Sequence, residues 1–137
     1  METGSIKIVI EEGKTPSIEA HLVNNNLWMG KYEIARLFNC FGQKIEMNLR
    51  SIFKSHLLWK SDVCHTHRYT GNGVEKQTDF YNLEVLIFLS YRINTFEAKI
   101  FRQFVNSALR EQLQKGETKP KMKLYWSYRK TNDFWMN

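Results

Sequence analysis

The sequence predicts an α+β fold, in which small β-hairpins pack with about four helices and two of those helices form a helix-turn-helix. Three observations predict it. Short alternating apolar runs bounded by Asn and Gly mark strands, and apolar residues recurring every three to four positions mark helices. One pair of helical segments is joined by a turn whose residue types and spacing suit a tight helix crossing.

The elements follow in chain order. Ile6-Lys7-Ile8-Val9-Ile10 alternates, Glu11 to Lys14 has turn chemistry, and Ile18 to Val23 alternates again, which predicts a hairpin. Asn24-Asn25-Asn26 predicts a second turn and Leu27-Trp28-Met29 a short third strand. The period then lengthens: Tyr32, Ile34, Ala35, Leu37 and Phe38 share a helical face, Asn39 to Gly42 interrupts it, and Ile45, Leu49, Ile52 and Phe53 mark a helix from Gln43 to Ser55–Leu58. Val63 to Tyr69 and Val74 to Tyr81 flank Gly71-Asn72-Gly73, predicting a second hairpin in a mostly polar stretch. Asn82 is placed to cap an apolar, centrally buried helix through Leu83 to Tyr91. Asn94 and Glu97 are spaced as a capping pair for a further helix through Ala98, Phe101, Phe104, Val105, Ala108 and Leu109. Gly116 suits its stop, and Pro120 the start of a tail. The predicted organisation is one domain over residues 1–118 and a basic, aromatic tail over 119–137.

The 137 residues suffice for a core without metal or disulfide, and 42% hydrophobic content excludes a disordered chain. No apolar run approaches the ~20 residues of a membrane span, and the first ten residues lack the apolar core of a signal peptide. The expectation is a cytoplasmic protein with no membrane partner, and Cys40 and Cys64 as free thiols.

The net charge of +6 is unevenly placed. Residues 31–60 carry six basic residues against Glu33 and Glu46, and residues 119–137 carry five against Asp133, so each segment has a net charge of +4. Concentrated positive charge is what a polyanion-binding surface requires.

The functional reading rests on Lys31 to Lys54. A helix-turn-helix needs a small residue where the helices cross, a residue four positions later that tolerates a left-handed backbone, and an apolar anchor six positions beyond. Ala35, Asn39 and Ile45 fit those positions. The second helix would turn Ile45, Leu49 and Ile52 inward and present Gln43, Lys44, Met47, Asn48, Arg50, Ser51 and Lys54. Gln, Asn, Arg and Ser read base edges, and Lys and Arg pair with phosphates. With Lys31 beside the groove, these residues are the candidate contacts to double-stranded DNA.

Residue motifs add a resemblance. Leu27-Trp28-Met29 with Ile34-Ala35-Arg36-Leu37-Phe38, and Phe80 to Ile87 continuing through Ser90-Tyr91-Arg92-Ile93-Asn94, resemble signatures of the RhuM virulence-protein family. Ala98 to Val105 is similar to a run in the BRO-N domain of phage and viral antirepressors. The resemblance covers roughly residues 6–116, with Asn39 and Ser90 where that family has glycine and Phe104 where it has tryptophan. It implies a DNA-binding domain of phage or mobile elements, a transcriptional regulator by class.

Other chemistries find less. No Ser-His-Asp order, phosphate-cradling Gly loop or His-Glu-x-x-His run occurs, so no enzyme and no cofactor is expected. Cys64-His65-Thr66-His67 has metal-binding residue types, but on a strand His65 and His67 share one face and Cys64 the other, with no second ligand pair elsewhere. His21 is expected to face solvent. Paired half-sites favour a homodimer. Tyr125, Trp126, Tyr128, Phe134 and Trp135 give the tail the aromatics of an interface, so a protein-interaction module, an antirepressor or adaptor, is the alternative function. The same aromatics with Lys119, Lys121, Lys123, Arg129 and Lys130 would also suit a nucleic-acid-binding arm.

Overall fold

Two antiparallel sheets and five helices make up the α+β fold of the computed structural model, which describes residues 2–115. Strands β1 (Ser5–Val9) and β2 (Ser17–His21) pair with Lys7 opposite Glu19, and their side chains form an ion pair at 3.4 Å. Only one face of this hairpin is apolar: Ile6, Ile8 and Ile18 pack against the core while His21 faces solvent. Asn24 and Asn25 both adopt positive φ (54° and 62°) in the next two-residue turn, a conformation Asn tolerates better than other non-glycine residues.

The second sheet runs β3–β5–β4, with β3 (Trp28–Gly30) and β4 (Cys64–Gly71) on either side of β5 (Val74–Asn82), all antiparallel. Asn72 and Gly73 at the tip again both have positive φ, the geometry of a tight hairpin turn. Between β3 and β4 the chain builds α1 (Lys31–Leu37), α2 (Gly42–Lys54) and the single turn α3 (Lys60–Val63). After β5 come α4 (Leu83–Ser90) and α5 (Phe96–Lys115).

Caps explain where the helices begin and end. Glu33 accepts from the Gly30 N–H at 3.0 Å at the start of α1. The Asn82 side chain accepts from the Val85 N–H at 3.3 Å, as expected for α4, and the Asn26 side chain accepts from the neighbouring Leu83 N–H at 3.1 Å. The capping residue of α5 is Thr95 rather than Asn94: its hydroxyl accepts from the Ala98 N–H and donates to the Phe38 carbonyl at 2.7 Å. Glu97 instead accepts from the Asn39 side chain at 3.5 Å. Two further differences are local. Val63 closes α3 and is not the first residue of β4, and α3 itself, four residues long, has no periodic pattern to announce it.

The core gathers Leu27, Ile34, Phe38, Ile45, Ile52, Leu86, Leu89 and Phe101, all essentially solvent-free. Phe38 at the end of α1 meets Phe101 of α5 edge to face at 5.4 Å. Helix α4 buries Val85, Leu86, Leu89 and Ser90. In α5 the buried face is Ala98, Ile100 and Phe101, whereas Phe104 and Leu109 are exposed.

The chain divides into two units, Met1–Val105 and Asn106–Asn137. The first holds both sheets and α1 to α4, and residues 106–115 of the second are helical. The expected helix stop at Gly116, the boundary at residue 118 and the aromatic tail lie outside the described residues. No helix among the described residues is long and apolar enough to cross a membrane.

Candidate nucleic-acid interface

Helix α1 ends because residue 39 leaves the right-handed region. Asn39 has φ 53°, its N–H donates to the Arg36 carbonyl at 3.3 Å, and the Cys40 N–H reaches back to the Ala35 carbonyl at 3.0 Å. These two bonds form a Schellman cap, which satisfies the last carbonyls of α1 and turns the chain sharply into α2. Ala35 and Ile45 are both buried, as a helix-turn-helix requires of them, and Asn39 has the left-handed backbone expected of the turn. Helix α2 ends with the same device at a residue the sequence pattern did not single out: His56 has φ 59° and the Leu57 N–H bonds to the Ile52 carbonyl at 3.1 Å.

Anchored through Ile45, Leu49 and Ile52, α2 exposes its opposite face. Gln43, Lys44, Met47, Arg50, Ser51 and Lys54 are all exposed, Met47 at 57%. Three of them, Lys44, Arg50 and Lys54, are cations, and Met47 adds exposed apolar area between them. Phe41, immediately before α2, is 87% exposed. It was not among the candidate residues, because a lone aromatic at a helix start reads as a core residue until its surroundings are known.

The two flanks of this face are tied down differently. On one, Glu46 bridges two cations: Lys31 Nζ lies 2.6 Å from one carboxylate oxygen and Arg50 Nη2 3.0 Å from the other. The hydrogen bond from Lys31 holds the Glu46 carboxyl below its usual range, and the same bond raises the Lys31 ammonium. Lys31 is thus at the site but half-buried and paired. On the other flank Asn48 and Ser51 accept hydrogen bonds from Arg92, which donates from Nε to Asn48 Oδ1 and from Nη2 to Ser51 Oγ, both at 2.9 Å. The Asn48 amide nitrogen donates to the Lys44 carbonyl at 2.9 Å. Asn48 is therefore half-buried with its amide oxygen and nitrogen both engaged, a different position from the free base-reading group expected of it.

A cleft of about 760 Å³ opens beside the first flank, between α2 and β5, lined by Lys31, Glu46, Arg50, Phe53, Lys60 and Tyr81 among others. Tyr81 stacks on Phe53 at 6.2 Å, and burial lifts its phenol well above the ordinary tyrosine range. Lys60 pairs with Asp79 at 3.4 Å, and Thr66 donates to the same carboxylate at 2.6 Å.

His65 and His67 share one face of β4, where His65 meets Trp28 edge to face and His67 stacks on Tyr69. Cys64 is half-buried on the other face, and burial raises its thiol, as it does that of Cys40. No group of three metal-ligating side chains converges among the described residues.

Compared with known proteins, the chain matches no family model, no curated protein and no solved structure.

Proposed function

We propose that this domain binds double-stranded DNA, with α2 as the helix that enters the major groove. The observation that carries the proposal is the outward face of α2, where Gln43, Lys44, Met47, Arg50, Ser51 and Lys54 stand exposed, with Glu46 at its edge paired to Lys31 and Arg50, on a helix pair joined through a left-handed Asn39. An α-helix fits the major groove, polar side chains reach base edges there, and Lys and Arg neutralise flanking phosphates. The connectivity agrees: the helix pair sits between β3 and β4 of a sheet ordered β3–β5–β4, so the sheet braces the two helices.

Among the candidate contacts, Arg50 and Lys54 carry phosphate binding most directly, with Lys44 on the opposite edge of the face. Gln43 and Met47 are the free groups facing a base edge or thymine methyl. Asn48 and Ser51 contribute through Arg92, and Lys31 supports Glu46 and Arg50 from the side. The resemblance to the RhuM family and the BRO-N domain supports reading the chain as a cytoplasmic phage or mobile-element transcriptional regulator, acting as a homodimer on paired half-sites.

Exchanging Arg50 and Lys54 together for alanine tests the face. Both side chains are exposed, so the variant should fold. Its affinity for a mixed-sequence duplex should fall, and its salt dependence should flatten by about two phosphate contacts. Unchanged binding would remove α2 from the interface.

A further inference from the structure

On the DNA-binding reading of α2, on which this inference rests, we infer that Arg92 is a phosphate-contacting residue of the same interface, gripping the DNA backbone on the side of α2 opposite Lys31 and Arg50. Arg92 belongs to the turn between α4 and α5, far from the helix-turn-helix in sequence, yet its guanidinium lies along α2 and bonds to Asn48 and Ser51. Glu46 and Arg50, four residues apart, mark one edge of the exposed face. Lys44, Asn48 and Ser51, at four- and three-residue steps, mark the other. A helix in a groove about 12 Å wide has a sugar-phosphate backbone on each side. The first edge already carries Lys31 and Arg50, and Arg92 supplies the second edge beside Lys44.

The turn holds Arg92 rigidly. Its N–H bonds to the Leu89 carbonyl at 2.9 Å, Ile93 next to it is buried, and Arg102 donates to the carbonyls of Ser90 and Ile93. Nε and one hydrogen on Nη2 are spent on α2, which leaves the remaining guanidinium donors of this exposed side chain for a phosphate. Among the described residues no carboxylate pairs with Arg92, in contrast to Arg50, whose partner is Glu46.

The test is fluorescence anisotropy of the full chain on a labelled mixed-sequence duplex over a salt series, with Arg92→Ala, Arg92→Lys and Arg92→Gln. Loss of one phosphate contact lowers the log–log salt slope by about 0.9, which at 0.15 M salt weakens binding roughly five-fold. Arg92→Ala and Arg92→Gln should both show that loss, and Arg92→Lys should keep the slope. Combined with Arg50→Ala the loss should double, because the two residues share no partner. A residue that only positions Asn48 and Ser51 would instead be rescued by Gln, which can donate without charge, and that result would overturn the inference. So would an Arg92→Ala slope equal to that of the unaltered protein. If the unaltered protein binds with a normal salt slope in either case and Arg50→Ala lowers it, DNA binding by α2 stands and only the role of Arg92 falls. Absence of any binding by the unaltered protein would sink both.

Discussion

Residue 39 is where the helix pair is most sensitive to backbone conformation. Its φ of 53° lies in the left-handed region, where a Cβ costs roughly 1–2 kcal/mol that glycine does not incur and asparagine partly avoids. The chain cannot escape by changing φ. It would lose the bonds from residue 39 to Arg36 and from Cys40 to Ala35, each worth about 1 kcal/mol, and would displace Phe38, whose carbonyl is held by Thr95 and whose ring is packed on Phe101. The strain is therefore retained. Asn39→Ala should be less stable than Asn39→Gly by about 1 kcal/mol, and Asn39→Val, β-branched as well, by about 2 kcal/mol. Urea unfolding at constant m-value reads these differences, and a thermal melt should show about 4 °C for each kcal/mol. If the Gly, Ala and Val variants unfold within about 0.3 kcal/mol of one another, which is below what the left-handed penalty allows, residue 39 is not left-handed and the helices are not joined as described.

Glu46→Gln should tighten DNA binding about five-fold at 0.15 M salt and steepen the slope by about 0.9, because one carboxylate no longer offsets Lys31 and Arg50; weaker binding would show that the bridged geometry itself is what DNA recognises. The same ion cluster fixes a pH window. Glu46 is depressed by the Lys31 hydrogen bond, so its contribution is complete above its unfolded pKa near 4.3 and fades as pH falls through its lower folded value. Lys31 is raised, so its contribution is complete below about 10.4 and fades as pH rises through its higher folded value. The stability gap between the unaltered protein and Glu46→Gln should be level from about pH 5 to 10 and shrink at both ends; a gap as large at pH 3 as at pH 7 would contradict the pairing. Thr95→Val removes the α5 cap and the bond to Phe38, and should cost about 1–2 kcal/mol in urea unfolding, with Thr95→Ser restoring most of it. Ile52→Ala, at a solvent-free position, should cost about 2–5 kcal/mol; a cost under 1 kcal/mol would mean that α2 is not anchored through this face.

Local chemistry made much of the fold legible. Asn39, Ala35 and Ile45 identify the turn because its steric demands fall on residues close in sequence, and the two hairpins follow from alternation and from Asn and Gly at their tips. The α2 face was legible for the same reason: Ile45, Leu49 and Ile52 define the inside, and the outside is what remains. What could not be read are contacts between distant segments. Arg92 meets Asn48 and Ser51 across 44 and 41 residues, and no periodicity links them. Glu46 counted only as a charge in a basic segment, although its position opposite Lys31, 15 residues away, decides how free two of the cations are. The single turn α3 is too short to show a period, and Thr95 displaced Asn94 as a cap because its hydroxyl also had the Phe38 carbonyl to satisfy.

The binding of the full chain and of its Arg50→Ala/Lys54→Ala variant to a labelled mixed-sequence duplex, measured by anisotropy from low to physiological salt, tests DNA recognition by α2 most directly. Affinity should fall linearly in log–log coordinates, and the slope of the variant should be smaller by about two phosphate contacts. Absence of binding at the lowest salt, or a variant slope equal to that of the unaltered protein, would contradict it.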